Sequence, residues 1–232
     1  MDHGAATAQG QRRLKRDDAM TESAPTVSLP FPTQAAPLSL LAAGGAMCFG
    51  ITSLSLGILQ SSPAFAGFGV ACLFQIPLAL SLFFRIRAGL GNRGLERELR
   101  TLRWVSHGLR LLALGLAVLA AFALLERQFP DPGLAGPALA ALAAGLLAWL
   151  WVSKRTLSEF HPSLALDAAR ARTLLELAAI LLAGTLIGRA FPGADAVTAL
   201  ALALRLWVEG RSLAALSAFK AACGGGGTGC GC

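Results

Sequence analysis

Residues 38–84 begin with LSLLAAGGAMCFGITSLSLGIL, turn at QSSP, and continue with AFAGFGVACLFQIPLALSLFF. Neither apolar run, 38–59 or 64–84, contains a charged residue. A helix needs about 20 mostly apolar residues to cross the hydrocarbon core of a bilayer, and both runs meet that length. Because the connector is so short, this stretch predicts two antiparallel membrane-spanning helices joined by a tight turn.

The composition of the whole chain points to the same class of protein. Of its 232 residues, 55% are hydrophobic and 14% are charged, and the mean hydropathy is +0.61. Soluble globular domains usually carry about 25% charged residues, so we predict an integral, multi-pass membrane protein. The chain contains no G-x-S-x-G, H-E-x-x-H or comparable catalytic motif, and we therefore predict no enzymatic activity.

Further apolar segments extend this pattern along the chain and predict an all-α fold, a six-helix transmembrane bundle. We expect a disordered cytoplasmic tail over 1–36, the transmembrane domain over 37–218, and a flexible tail rich in glycine and cysteine over 219–232. The six spans are expected at about 38–59, 64–84, 106–126, 134–152, 166–188 and 195–215.

The distribution of basic residues predicts the orientation of this bundle. With both termini cytoplasmic, eighteen of the twenty Lys and Arg residues fall on the cytoplasmic side, and only Arg127 and Arg189 fall outside. Basic residues accumulate on cytoplasmic flanks, so we expect the N and C termini to be cytoplasmic, in a bacterial inner (plasma) membrane. The net charge of +7 then predicts contact with anionic lipid headgroups and no nucleic-acid partner.

The fifth predicted span, HPSLALDAARARTLLELAAILLAGTLI at 161–187, carries an unusual number of charges. Its uncharged part, 177–188, has only 12 residues and reaches about 18 Å, so the charged turns before it must also enter the membrane. Helical spacing predicts two opposite-charge pairs on different sides of this helix. They are Asp167 with Arg170, and Arg172 with Glu176.

Two interpretations of these charges are open. They form neutralising pairs at the headgroup level, with arginines extending outward, or they line a polar path for an ion inside the bundle. In the sixth span, Arg205 either extends outward or pairs with Glu176 or Asp195. The candidate transport path therefore consists of Asp167, Arg170, Arg172, Glu176, Asp195 and Arg205.

At these residues the chain resembles the cation diffusion facilitators over roughly residues 38–217. The fifth span is similar to that family's fifth-helix pattern S-x-A-L-x-A-D-A-x-H-x-x-x-D, with Ser163, Leu166, Asp167 and Ala168 near register. GADAVTALALALRLWVEGRSLAALS is similar to the family's sixth helix, and ITSLSLGILQSSPAFAGFGV to its first hairpin. The resemblance implies efflux or exchange of a divalent metal cation by alternating access, in a homodimer or heterodimer.

The chain departs from the family at the metal ligands. The family's fifth-helix His falls on Arg170 and its final Asp on Leu174, while a helix-two Asp falls on Gly67. The usual metal site is therefore predicted to be absent, and so is the family's cytoplasmic C-terminal domain. Two alternatives to a transporter follow: a non-transporting or regulatory subunit of such a dimer, and an unrelated six-helix membrane protein.

The C-terminal stretch CGGGGTGCGC supplies the remaining candidate ligands, Cys223, Cys230 and Cys232. Thiolates bind soft ions such as zinc, and His161 at the start of the fifth span could complete a site. We expect no tightly bound cofactor, with zinc or another divalent transition metal as substrate or tail ligand. A low-complexity end without a fixed role and cysteine acylation are the alternatives.

Overall fold

The structure, a computed structural model, describes residues 35–87, 95–126, 134–159 and 162–224 of the chain. These residues are α-helical apart from short turns, and contain no β-strand. The helices are α1 (Ala35–Leu59), α2 (Pro63–Arg87), α3 (Leu95–Glu126), α4 (Ala135–Leu157), α5 (Pro162–Ile187) and α6 (Ala194–Gly224). The all-α prediction is confirmed.

Two of the helices extend further than the predicted spans. α3 begins at Leu95 rather than near residue 106, because LERELRTLR alternates acidic and basic residues at helical spacing. α6 continues to Gly224, past the point at which the C-terminal tail was expected to begin. The predicted N-terminal tail, up to residue 34, and residues 225–232 lie outside the described part of the chain.

Four of the helices, α1 to α4, are long and apolar enough to cross a membrane. This finding indicates a membrane protein. The outward-facing side chains agree with it, since Leu111, Leu125 and Leu142 are 70%, 79% and 67% exposed, and soluble monomers seldom present large apolar surfaces to water. α5 and α6 have the length to cross, at about 1.5 Å per residue, but carry charged side chains in their middle turns.

The helices pack as three extended pairs around a shared core. α1 lies along α2, α3 along α6, and α4 along α5. α2 also contacts α3, α5 and α6, while α1 contacts α4 and α5 contacts α6. The core contains Phe68 of α2, Leu102 of α3, Leu177 of α5 and Leu202 of α6, each at most 1% exposed. This arrangement brings α2, α4 and α5 together around the polar groups described below.

Small residues allow α1 and α2 to approach closely. A Cβ added to Gly69 would lie 2.6 Å from the backbone nitrogen of Leu54 and 2.8 Å from the carbonyl oxygen of Gly50. Ser53 donates a hydrogen bond across the same interface to the carbonyl oxygen of Phe65, at 2.9 Å. Glycine and serine are typical of helix contacts in membranes because they let two backbones pack closely.

We expect Gly69→Ala and Gly44→Ala to change the free energy of unfolding in opposite directions. Gly69→Ala should destabilise the protein by about 1–3 kcal/mol, since its methyl group meets backbone atoms of α1. Gly44 has no atom within 4 Å of an added Cβ, so alanine should stabilise its helix by up to about 1 kcal/mol. Unfolding in detergent measures both, and equal effects would contradict the close approach.

Candidate functional site

A network of charged side chains extends from the α4–α5 connection to the middle of α5, and all of its members except Arg172 are buried or partly buried. α5 contributes half of its members, and α3, α4 and α6 contribute the rest. The four basic members are Lys154, Arg170, Arg172 and Arg205, and the four acidic members are Glu98, Asp167, Glu176 and Glu209. The opposite charges balance, which lowers the cost of placing them in an apolar bundle.

Lys154 and Asp167 form the most buried ion pair of the network. Lys154 Nζ lies 2.6 Å from Asp167 Oδ2, and the two side chains are 7% and 9% exposed. Asp167 also interacts electrostatically with Arg170, its predicted neighbour on α5, but the ion-pair contact with Lys154 joins two helices and was not predicted. The antiparallel packing of α4 on α5 brings Lys154, three residues before the end of α4, level with Asp167, five residues into α5.

Arg170 lies one turn further into the bundle and is 5% exposed. It does not extend outward to headgroups, as one sequence interpretation proposed, because its side of α5 faces the interior. The acidic groups that interact with it electrostatically are Asp167, Glu98 and Glu209. Its Nε and Nη2 atoms are buried and have no hydrogen-bond partner.

The second cluster joins α5 to α6 around Glu176. Arg172 Nε donates to Glu176 Oε1 at 2.9 Å, as the sequence predicted. Arg205 Nε donates to Glu176 Oε2 at 2.7 Å, which selects Glu176 over Asp195 as its partner. Arg205 Nη2 donates to the Thr173 hydroxyl at 3.1 Å, and that hydroxyl is 3.1 Å from the carboxylate of Glu209.

This second cluster lies at the middle of α5. Glu176 is 14 residues after Pro162 and 11 residues before Ile187. The charges therefore do not sit at a helix end, where headgroups would solvate them. If Arg170, Arg172 and Arg205 are removed from the cytoplasmic count of basic residues, fifteen remain against two, so the predicted charge bias persists.

Asp195 belongs to a different part of the molecule. Ser62 donates a hydrogen bond to Asp195 Oδ1 at 2.6 Å, which links the start of α2 to the start of α6. The Ser62 hydroxyl also accepts from the backbone N–H of Phe65 at 3.3 Å, as an N-cap residue does. Asp195 is ten residues from Arg205, about 15 Å along the helix, so the structure does not bring it into the network.

Two small cavities adjoin the Lys154–Asp167 pair. The larger has a volume of about 30 Å³ and its polar lining consists of Gln75, Lys154, Asp167 and Arg170. The smaller, about 10 Å³, lies on the side toward the α4–α5 connection and includes Ser39. Lys154 and Asp167 line both cavities, so each cavity adjoins this ion pair.

Sequence reasoning missed four residues of this site: Lys154, Glu98, Glu209 and Gln75. Lys154 had been assigned to the basic connector between α4 and α5, yet it is 6% exposed. Glu209 follows Arg205 at i+4, and that spacing was a usable signal. Nothing in the sequence indicates that Glu98, in a run of exposed charges, is 5% exposed.

None of the metal ligands proposed from the sequence has a side chain in the described part of the chain. Among these residues there is no group of three or more His, Cys, Asp or Glu side chains placed to hold a metal ion. Cys223 lies in the last turn of α6, where side chains are not described. Cys230, Cys232 and His161 lie outside the described part of the chain, so the tail site stays a prediction.

Comparison with known proteins assigns no family. The chain matches no protein-family model, and no curated protein sequence matches it.

Proposed function

We propose that this chain is a multi-pass membrane carrier of a small ion, and that the ion passes the Lys154–Asp167 pair. The observation that carries this proposal is that the buried pair lines two neighbouring cavities. Ionisable groups inside membrane bundles are costly, and they typically mark ion pathways. Separation and re-formation of the pair would open and close the connection between the cavities, as alternating access requires.

The carrier we propose crosses the membrane six times. α5 and α6 join the four apolar helices because their charges are neutralised within the network, at the 2.6–3.5 Å separations of its ion pairs. Cytoplasmic termini are supported by the basic residues, and tryptophans at the same end of the bundle are consistent with a membrane interface there. Trp104 is 74% exposed near the start of α3, and Arg155 lies over the ring of Trp151 near the end of α4; tryptophan is enriched at membrane interfaces.

A divalent metal cargo, implied by the resemblance to the diffusion facilitators, gains no support from the described residues. Zinc sites use three or four Cys, His or carboxylate ligands. Here Asp167 is held by Lys154, and Arg170 stands where the family has a ligand. A guanidinium remains charged at physiological pH and cannot ligate a cation. We therefore do not assign a metal as the cargo.

A non-transporting subunit is the second candidate, and the burial of Arg170 favours it. In this interpretation the fixed positive charge of Arg170, among Asp167, Glu98 and Glu209, takes the place of a transported cation and closes the path. The chain would then act through a dimer with a second copy or a related protein. Arg172 offers a surface for that dimer, since its side chain is 67% exposed beside Glu176 at the middle of α5, and an exposed ion pair is costly in lipid.

Flux measurements on the full chain in liposomes distinguish the two candidates. We expect the wild-type protein to conduct at least one of chloride, formate, nitrate, protons and zinc above the level of empty liposomes. Asp167→Asn should reduce that flux to the empty-liposome level, because Lys154 then lacks its counter-charge. Glu126→Gln, an exposed change at the end of α3, should leave the flux within about twofold of wild type.

A variant that preserves packing separates a loss of flux from a loss of fold in this test. Lys154→Met combined with Asp167→Leu replaces the buried pair by apolar side chains of similar size and should retain the fold, yet it should conduct no ion. Wild-type protein that conducts none of the five ions would overturn the carrier proposal and favour the non-transporting subunit.

A further inference from the structure

One edge of the Arg170 guanidinium has no hydrogen-bond partner. Nε and Nη2 are both buried without a hydrogen-bond partner, although the residue is only 5% exposed. Leaving buried donors unsatisfied is unfavourable, and more so for charged groups. These two atoms form the side-on edge of the guanidinium, whose parallel N–H groups match two oxygens of a planar anion. The missing partner is therefore a hydrogen-bond acceptor.

Arg170 lines the larger cavity, which can hold such a partner. Its volume is about 30 Å³, and a cavity needs at least about 10–15 Å³ to hold one water molecule. An ion of the size of chloride, nitrate or formate fits this volume, whereas a bulky anion does not. Lys154 and Gln75 also line the cavity and provide ammonium and amide donors.

The charge of the lining selects an anion over a cation. Its ionisable residues are Lys154, Arg170 and Asp167, two basic and one acidic, and the acidic one is paired with Lys154. The other carboxylates that face Arg170 come from helices that do not line the cavity, Glu98 from α3 and Glu209 from α6. The residues that line the cavity thus carry one more basic than acidic group.

We propose that this cavity binds a small monovalent anion through Nε and Nη2 of Arg170, with Lys154 and Gln75 as further donors. This site names the class of ion that the proposed carrier would transport. Binding of the anion does not depend on the proposed function, whereas its transport does. Planar anions with two acceptor oxygens, such as formate and nitrate, bind in preference to chloride because they accept both N–H groups in parallel.

Thermal unfolding of the full chain in detergent tests anion binding without requiring transport. Starting in sodium gluconate, we titrate sodium formate, nitrate or chloride at constant ionic strength. A ligand that binds only the folded state raises Tm in a saturable way. We expect a saturable rise with formate and nitrate, a smaller rise with chloride, and none with further gluconate, which is too large for the cavity.

Substitutions test whether the rise in Tm depends on the residues that line the cavity. Arg170→Lys keeps the charge and loses the two-donor edge, so the midpoint concentration for formate should increase about tenfold or more. Gln75→Met keeps the volume, removes one donor, and should increase the midpoint by a smaller factor. Arg155→Lys, at an exposed position next to Lys154 in sequence, should not change it. If Arg170→Lys fails to fold, the Gln75→Met variant and the comparison with gluconate still show whether the cavity binds an anion.

Equal Tm changes with gluconate and formate, or an unchanged midpoint in both cavity variants, would overturn the proposal and leave a cavity that holds only water. Saturable binding without flux would support the anion site and contradict the carrier function. Flux without saturable anion binding would support the carrier and contradict this inference. The two proposals can therefore fail separately.

Discussion

Lys154→Met is expected to destabilise the protein by about 3–5 kcal/mol, because it leaves the buried Asp167 carboxylate without its partner. The ammonium and carboxylate are 2.6 Å apart, and the side chains are 7% and 9% exposed, so bulk solvent has little access to the carboxylate that is left. Asp167→Leu alone should cost a similar amount, since it leaves a buried ammonium unpaired. Unfolding of the purified protein by denaturant or heat in detergent measures both changes.

The double variant is the control for this prediction. Lys154→Met combined with Asp167→Leu removes both charges and fills the space with apolar atoms, and such replacements are often neutral or stabilising. We expect the double variant to lie within about 1 kcal/mol of wild type or above it. A loss equal to the sum of the two single changes would show that the residues are not coupled, and would contradict the ion pair between them.

Arg205→Met and Arg172→Met provide the second large contrast, because both arginines bind the same carboxylate, Glu176. Arg205 is 25% exposed on its side chain and binds Glu176, Thr173 and Glu209. Its removal should cost about 2 kcal/mol or more, since hydrogen bonds to charged groups contribute roughly 1.5–3 kcal/mol. Arg172 is 67% exposed, and its removal should cost less than about 1 kcal/mol in detergent. Equal losses of stability for the two variants in unfolding experiments would contradict the stronger role given to Arg205.

The Arg172→Met variant also tests the dimer. If a second copy covers this face of α5, the variant should reduce the dimer fraction measured by light scattering of the detergent-solubilised protein, while the stability of the monomer stays nearly unchanged. A purified wild-type protein that is monomeric at all concentrations would contradict a homodimer. The matched variant Arg155→Met, exposed on α4, should leave the dimer fraction at the wild-type value.

The positions of the helices could be predicted well from the sequence. Each of the six predicted spans falls in an α-helix, because long apolar runs bounded by proline, glycine and charge have few other ways to satisfy their backbone in lipid. The start of α3 was missed by eleven residues, since polar residues with helical charge spacing continue a helix beyond the apolar run. The tight first turn was also predicted, and the structure places only Gln60–Ser62 between α1 and α2.

The partners within the site were predicted only where they lie on one helix. Arg172 and Glu176 are an i,i+4 pair, and helical geometry alone brings them together. The pairing of Arg205 with Glu176 was one of three alternatives, because it joins two helices. Lys154 was assigned to a connector, since nothing in the residues around it shows which side of α4 faces α5.

The sequence by itself therefore determined the class of protein, the helical segments and the enrichment of α5 and α6 in charge, because hydropathy and helical spacing are properties of neighbouring residues. Only the tertiary structure decided that Asp167 meets Lys154, that Arg170 faces inward with an unused edge, and that a cavity lies beside it. These contacts depend on which helices are adjacent and on how they are aligned along their axes. The physical reason is that a buried charge is stabilised by whatever group packing places within a few ångströms, and packing joins residues that are distant in the chain.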